Sequence, residues 1–202
     1  MPGADPSPSQ VPVLQRRKPV TLDMISTTLP ATEAHPAGGR LVLRPVRKSD
    51  AGLFAMYAGD RRVAEGTRGI PHPLPPGAAE AFVNRSTAEA RSEDVWVMDG
   101  SASGLSEVLG VISLKRMDRD QSEIAYWVAP AFWNAGFASE AVRALIEANP
   151  QGSRTIFAEV FQDNPQSARV LTNCGFEYIG DAEAFSVARN ARVPTWTYLR
   201  RL

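Results

Sequence analysis

Leu41 and Leu43 alternate with Val42 and Arg44, and Pro45 closes the run, which predicts a short opening strand. Ser49 or Asp50 then caps a helix to about Gly59, with Leu53, Phe54 and Tyr57 on one face. A Pro-rich loop, Ile70-Pro71-His72-Pro73-Leu74-Pro75-Pro76, leads into a helix near Ala78–Ala90. Asp94–Asp99 is an apolar run bounded by the turn cluster Gly100–Gly104, so it predicts a strand. Val108–Met117 and Ser122–Ala129 predict two more strands, the second stopped by Pro130. Within Gly136–Asn149, Ala138, Ala141, Val142, Leu145 and Ile146 recur at helical spacing. A strand at Ile156–Gln162, a helix from Pro165 to about Cys174, and strands at Phe176–Ile179 and Thr195–Arg200 complete the chain. The order β-α-α-β-β-β-α-β-α-β-β is neither regular βαβ alternation nor all-β. It predicts an α+β (mixed α/β) domain: a mixed sheet with helices on both faces.

Composition separates residues 1–39 from this pattern. Of the 16 prolines in the 202-residue chain, seven fall before Gly39, which denies this extension helices and a core of its own. Its apolar positions Val11, Val13, Leu14, Val20, Leu22, Met24 and Ile25 offer a packing surface. They are expected to dock on a second chain, making a homodimer, with the chain's own domain as the alternative. Residues 40–202 are a comfortable size for one domain. Lys plus Arg equals Asp plus Glu at 22 each, so no bulk field draws the chain to nucleic acid or an anionic membrane. One cysteine, Cys174, excludes an internal disulfide and a Cys-based metal cluster, and His35 and His72 fit no zinc spacing. No apolar stretch approaches the ~20 residues that span a bilayer, and no signal-peptide pattern opens the chain. A cytoplasmic protein without a metal is expected.

The informative stretch runs from Glu123-Ile124-Ala125-Tyr126-Trp127-Val128-Ala129-Pro130 into Ala131-Phe132-Trp133-Asn134-Ala135-Gly136-Phe137-Ala138. A strand enters a short loop and then directly a helix, which exposes successive backbone N–H groups at the positive end of a helix dipole. Such an end favours an anion, typically phosphate. Gly136 permits close approach of the backbone, and Ala138 keeps the first turn narrow. Neither a Walker A loop nor G-x-G-x-x-G occurs, which removes the main support for nucleotide hydrolysis and dinucleotide binding. A second segment, Asp163-Asn164-Pro165-Gln166-Ser167, opens the next helix and ends at Gly175-Phe176. Asn164 reads as a helix cap and Gly175 as a helix stop, and both roles leave Asn164 and Ser167 free to face a cleft.

These segments resemble the GNAT superfamily of acetyl-CoA-dependent N-acetyltransferases, and more narrowly its ribosomal-protein alanine N-acetyltransferase branch. The superfamily's pyrophosphate loop, Q/R-x-x-G-x-G/A, falls on Trp133, Asn134, Ala135, Gly136, Phe137 and Ala138, with Trp133 in the first position as is familiar in that branch. N-P-x-S followed by L-x-x-x-G-F falls on Asn164, Pro165, Ser167, Leu171, Gly175 and Phe176, and L-x-L-R-P on Leu41, Leu43, Arg44 and Pro45. The resemblance covers about residues 40–202. Two positions depart from it: Ala125 stands where the branch often has glycine, and Asn173-Cys174 where it often has Lys-Leu.

The resemblance implies a sheet of about seven strands splayed between the fourth and the fifth, with acetyl-CoA in the gap. The pantetheine amides would bond the backbone of Trp127, Val128 and Ala129. The pyrophosphate would sit on the amides of Trp133, Asn134, Ala135, Gly136, Phe137 and Ala138, and Asn164 would order a water or the pantetheine arm. A primary amine, on a protein N-terminus or a small molecule, would attack the thioester directly. Glu123 shares a strand face with Ala125 and Trp127 and is the candidate general base; its other reading is a solvated carboxylate at a strand end. His72 or ordered water is the alternative base. Ser167 is the candidate acid for the leaving thiolate, with Tyr178 as substitute. Cys174 reads as a structural thiol at a helix end rather than a nucleophile. A non-catalytic acyl-CoA-binding module of the same fold is the competing function.

Overall fold

The computed structural model describes residues 39–202, so the expectation for the Pro-rich extension, including its docking on a second chain, lies outside the described residues apart from Gly39. The elements are β1 (Val42–Pro45), α1 (Ala51–Ala58), α2 (Arg61–Glu65), α3 (Ala78–Thr87), β2 (Glu93–Asp99), β3 (Gly110–Met117), β4 (Gln121–Val128), α4 (Phe137–Ala148), β5 (Thr155–Phe161), α5 (Pro165–Asn173), β6 (Glu177–Ser186) and β7 (Ala191–Arg201). They build one seven-stranded sheet of order β1-β2-β3-β4-β5-β7-β6, antiparallel except where β4 meets β5. This is the mixed sheet expected from the element order, and its helices lie on both faces.

Strand pleating explains the unbroken apolar run in β2, which is buried on both sides. Trp96 and Met98 pack under α4 and α5 with Leu43, Ile112, Ile124, Leu145, Ile156 and Leu171. Val95 and Val97 face the other way, into a smaller core with Phe54, Val83 and Val111 beneath α1 and α3. Arg44 is buried within this framework. Its guanidinium donates two hydrogen bonds to Asp50, at 2.9 and 2.8 Å, and one to Asp99 at 2.6 Å. A buried cation needs such paired partners, and here they tie β1 to the start of α1 and to the end of β2.

Two elements differ from the sequence reading. The five-residue α2 escapes a periodicity test because it spans little more than one turn; its cap is the Asp60 side chain, which accepts from the Arg62 N–H at 2.9 Å. The β6–β7 hairpin is much longer than the two short strands expected. β6 is an edge strand whose residues are mostly exposed, so it lacks the alternation that marks a half-buried strand, and Gly180-Asp181 inside it reads as a turn. Among the described residues no helix is long and apolar enough to cross a membrane.

Candidate active site

β4 and β5 pair in parallel from Gln121 opposite Thr155 to Ile124 opposite Ala158. Pairing stops there, although β4 continues to Val128 and β5 to Phe161. The other edge of β5 stays paired with β7 along its whole length. The two strands therefore diverge, leaving a gap edged by unpaired main chain. Strand parity decides which groups face it. The Ala129 N–H donates to the Leu109 carbonyl at 2.8 Å, and the Trp127 carbonyl packs on Gly110, where a Cβ would overlap it. Trp127 and Ala129 are thus turned toward β3, and alternation turns Tyr126 and Val128 toward the gap. Of the three residues expected to offer backbone bonds to a pantetheine arm, Val128 alone faces the opening, and Tyr126 joins it.

The indole N–H of Trp133 donates to the Val128 carbonyl at 2.6 Å, so Trp133 pins the loop to the end of β4; more than a third exposed, it is not a core residue. Asn134 at φ 60° and Gly136 at φ 85° are both left-handed, the backbone pattern of an anion-binding concavity; the Trp133 N–H, expected among its donors, instead donates to the Pro130 carbonyl at 3.3 Å, which leaves the amides from Asn134 to Ala138. Gly136 is the N-cap of α4, so the first-turn amides of Phe137 and Ala138 have no intrahelical partner. Sequence reasoning missed Arg40, the residue just before the opening strand. Its guanidinium donates to the Ala135 carbonyl at 2.7 Å and to Glu140 at 3.2 Å, and it stacks 4.4 Å from the centre of the Phe137 ring. A cation and a ring of free amides thus share one concavity, an arrangement suited to a diphosphate.

Two cavities meet at the splay. A narrow cleft of about 80 Å³ lies between the diverging strands and α5, with Tyr126, Val160, Asn164 and Ser167 in its wall. A larger one of about 690 Å³ lies on the opposite sheet face, under α1 and α3, walled by Phe54, Phe82 and Trp127 with Glu123 and Lys115 at its polar end. Thr67, Arg68, Ala125 and Tyr126 line both. Asn164 caps α5 by accepting from the Ser167 N–H at 3.1 Å. The Ser167 hydroxyl donates to the Tyr126 hydroxyl at 3.0 Å, and Tyr126 donates to the Ser167 carbonyl at 3.1 Å. Burial pushes the Tyr126 phenol well above its usual range, which keeps its proton in place. Sequence reading gave Tyr126 no role because a tyrosine beside Trp127 in an apolar strand looks like core.

Glu123 lies on the face of Ala125 and Trp127, at the larger cavity, with its Oε1 ion-paired to Arg68. Arg68 reaches it from a loop far upstream, and no sequence signal marks that pairing. The alternatives lie elsewhere. Tyr178 is more than half exposed on β6, lines neither cavity and donates to Asp181 at 2.9 Å. His72 is exposed and lines neither cavity. Cys174 is buried at the end of α5, and burial pushes its thiol up, away from the reactive thiolate. Among the described residues no three His, Cys, Asp or Glu side chains are placed to hold a metal ion.

Residues 40–177 match the family model of the acetyltransferase (GNAT) domain. The chain is 30% identical over 149 residues to the uncharacterized N-acetyltransferase YoaA of Bacillus subtilis, covering 70% of this chain and 81% of that protein. Among solved structures, it resembles the RimL ribosomal L7/L12 alpha-N-protein acetyltransferase in complex with coenzyme A, with a TM-score of 0.71 at 16% identity over 85% of this chain and 98% of that one. It also resembles the microcin C7 self immunity acetyltransferase MccE in complex with acetyl-CoA and AMP, with a TM-score of 0.69 at 14% identity over 80% of this chain and 92% of that one.

Proposed function

The chain belongs to the GNAT acetyltransferase family, and we propose that it moves the acetyl group of acetyl-CoA to a primary amine, on a protein N-terminus or a small molecule, by direct attack in a ternary complex. The observation that carries this reading is the junction of the two cavities. One side supplies a carboxylate, Glu123, and the other a pair of hydroxyls, Ser167 and Tyr126. Direct transfer needs a proton taken from the amine and a proton given to the departing thiolate, from opposite sides of one carbonyl carbon.

In this reading the diphosphate of acetyl-CoA rests on the amides from Asn134 to Ala138 beside Arg40, the Trp133 amide being held by the Pro130 carbonyl. The pantetheine arm enters the gap along Val128 and Tyr126, and the thioester reaches the level of Ala125. The amine arrives through the larger cavity, whose size suits a chain end or a small amine. Glu123 Oε2, which has no donor among the described residues, accepts the amine proton. Ser167, in concert with Tyr126, returns a proton to sulfur. The gap-facing N–H of Val128 or Tyr126 supplies the donor for the carbonyl oxygen as charge builds on it. Asn164 keeps Ser167 at the mouth by capping α5. The reaction needs no metal, and the reducing cytoplasm suits the free thiol of Cys174. The extension of residues 1–39 would join two copies, which light scattering on the full chain and on one starting at Gly39 would test.

Release of free CoA thiol across a panel of peptide N-termini and small amines tests the activity. Glu123→Gln is expected to lower kcat by about 10²–10⁴, the usual loss for a general base, with acetyl-CoA affinity unchanged. Wild-type turnover in that variant across pH 6–9 would remove Glu123 from the mechanism, and acetyl-CoA binding without thiol release for any amine would favour an acyl-CoA-binding module.

A further inference from the structure

Arg68 stands where the sheet opens. It belongs to the loop after α2, lines both cavities, and holds one carboxylate on each of the two diverging strands. Its Nη2 donates to Glu123 Oε1 on β4, and its Nη1 donates to Glu159 Oε2 on β5 at 2.6 Å. The Thr195 hydroxyl on β7 donates to the remaining oxygen of Glu159 at 2.7 Å. The main chain of Arg68 is fixed too, because its carbonyl accepts from the Val187 N–H at 3.0 Å. The two carboxylates are therefore treated differently. Both oxygens of Glu159 are occupied, whereas Glu123 has one oxygen held and the other without a donor among the described residues.

We propose that Arg68 is a positioning residue for the acetyl transfer: it orients the Glu123 carboxylate so that Oε2 faces the incoming amine, and Glu159 and Thr195 in turn orient Arg68. The proposal rests on Glu123 acting as the base. The fork geometry of a guanidinium is what the task needs. Two N–H vectors in one rigid plane fix two separate carboxylates at once, which a lysine ammonium does less well. A base held at one oxygen by an oriented partner follows the general logic of activated pairs, in which a third group sets the angle of the second. Glu159 has a further part. It draws one arm of the guanidinium away from Glu123 and so prevents a two-point clasp that would occupy Oε2 as well.

Single and double variants read by steady-state kinetics, acetyl-CoA calorimetry and thermal melting test this. Arg68→Met is expected to lower kcat on the order of 10²-fold, the cost of a misplaced catalytic group. Its acetyl-CoA Kd and melting temperature should stay near wild type, and Arg68→Lys should recover part of the loss. Glu159→Gln should also lower kcat, because Arg68 is then drawn wholly onto Glu123. The deciding readout is Arg68→Met in the Glu123→Gln background, where it should cost little more, since Arg68 acts through Glu123. Unchanged kcat in Arg68→Met, an equal loss with and without Glu123, or a loss explained by cofactor affinity or melting would overturn the proposal. Full turnover in Glu123→Gln alone would overturn both this proposal and the assignment of the base, whereas an active wild type with an indifferent Arg68→Met would overturn this proposal only.

Discussion

Replacing Gly136 by Asp, with Asn as its neutral counterpart, separates charge from shape at the proposed diphosphate site. Gly136 sits at φ 85°, so any side chain there pays for a left-handed backbone, about 1–2 kcal/mol for an ordinary residue and less for Asn or Asp. Within the protein a Cβ would meet only the Arg40 guanidinium, at 3.6 Å, an ordinary contact, so any further steric cost is against the diphosphate itself. Both variants share these two effects, so the difference between them is the carboxylate. A unit charge about 5 Å from one phosphate charge, at an effective dielectric of 20, is worth about 3 kcal/mol. Arg40 beside the new carboxylate offsets part of this, leaving on the order of 1.4–3 kcal/mol, or about 10- to 100-fold in Kd. Isothermal calorimetry with acetyl-CoA at low and high salt should show Gly136→Asp binding more weakly than Gly136→Asn by that factor, with the gap narrowing as salt rises. Equal affinities for the two variants would place the diphosphate elsewhere and refute the reasoning.

Arg44→Met is expected to destabilise the domain by about 3–5 kcal/mol, because it leaves the fully buried Asp50 carboxylate without its cation; a loss under about 1 kcal/mol in urea unfolding would contradict that account. Acid should act through the same cluster. Burial raises the Asp99 pKa, but hydrogen bonds from Ser101 and Arg44 outweigh it, and the net shift is downward. A carboxyl depressed in the folded state contributes stability above its unfolded value, near 3.9, and loses it as pH falls through the folded value. The urea midpoint should therefore drop below about pH 4, and the drop should be shallower in Asp99→Asn.

Much of the molecule was legible in local order along the chain. β2 announced itself as a strand through Asp94–Asp99, α4 through its 3.6-residue spacing, and α5 through the Asn164-Pro165 start and Gly175 stop. The start of α4 was readable because its signal is local: Gly136 stands immediately before the helical spacing begins. The parity of β4 put Glu123 on the face of Ala125 and Trp127 for the same reason. What tertiary structure decided is everything that joins distant segments. Which backbone groups of β4 face the gap depends on the ladder with β3, so Val128 and Tyr126, rather than Trp127 and Ala129, border the opening. Arg40 reaches the loop before α4 across 95 residues of chain, and Arg68 reaches Glu123 across 55 and Glu159 across 91. Hydrophobic periodicity reports how each element meets its own core and carries no record of which exposed cation will lie beside which carboxylate once the sheet has closed. The ion pairs that surround the proposed chemistry arise only when the loop after α2, the two diverging strands and the β6–β7 hairpin are packed together.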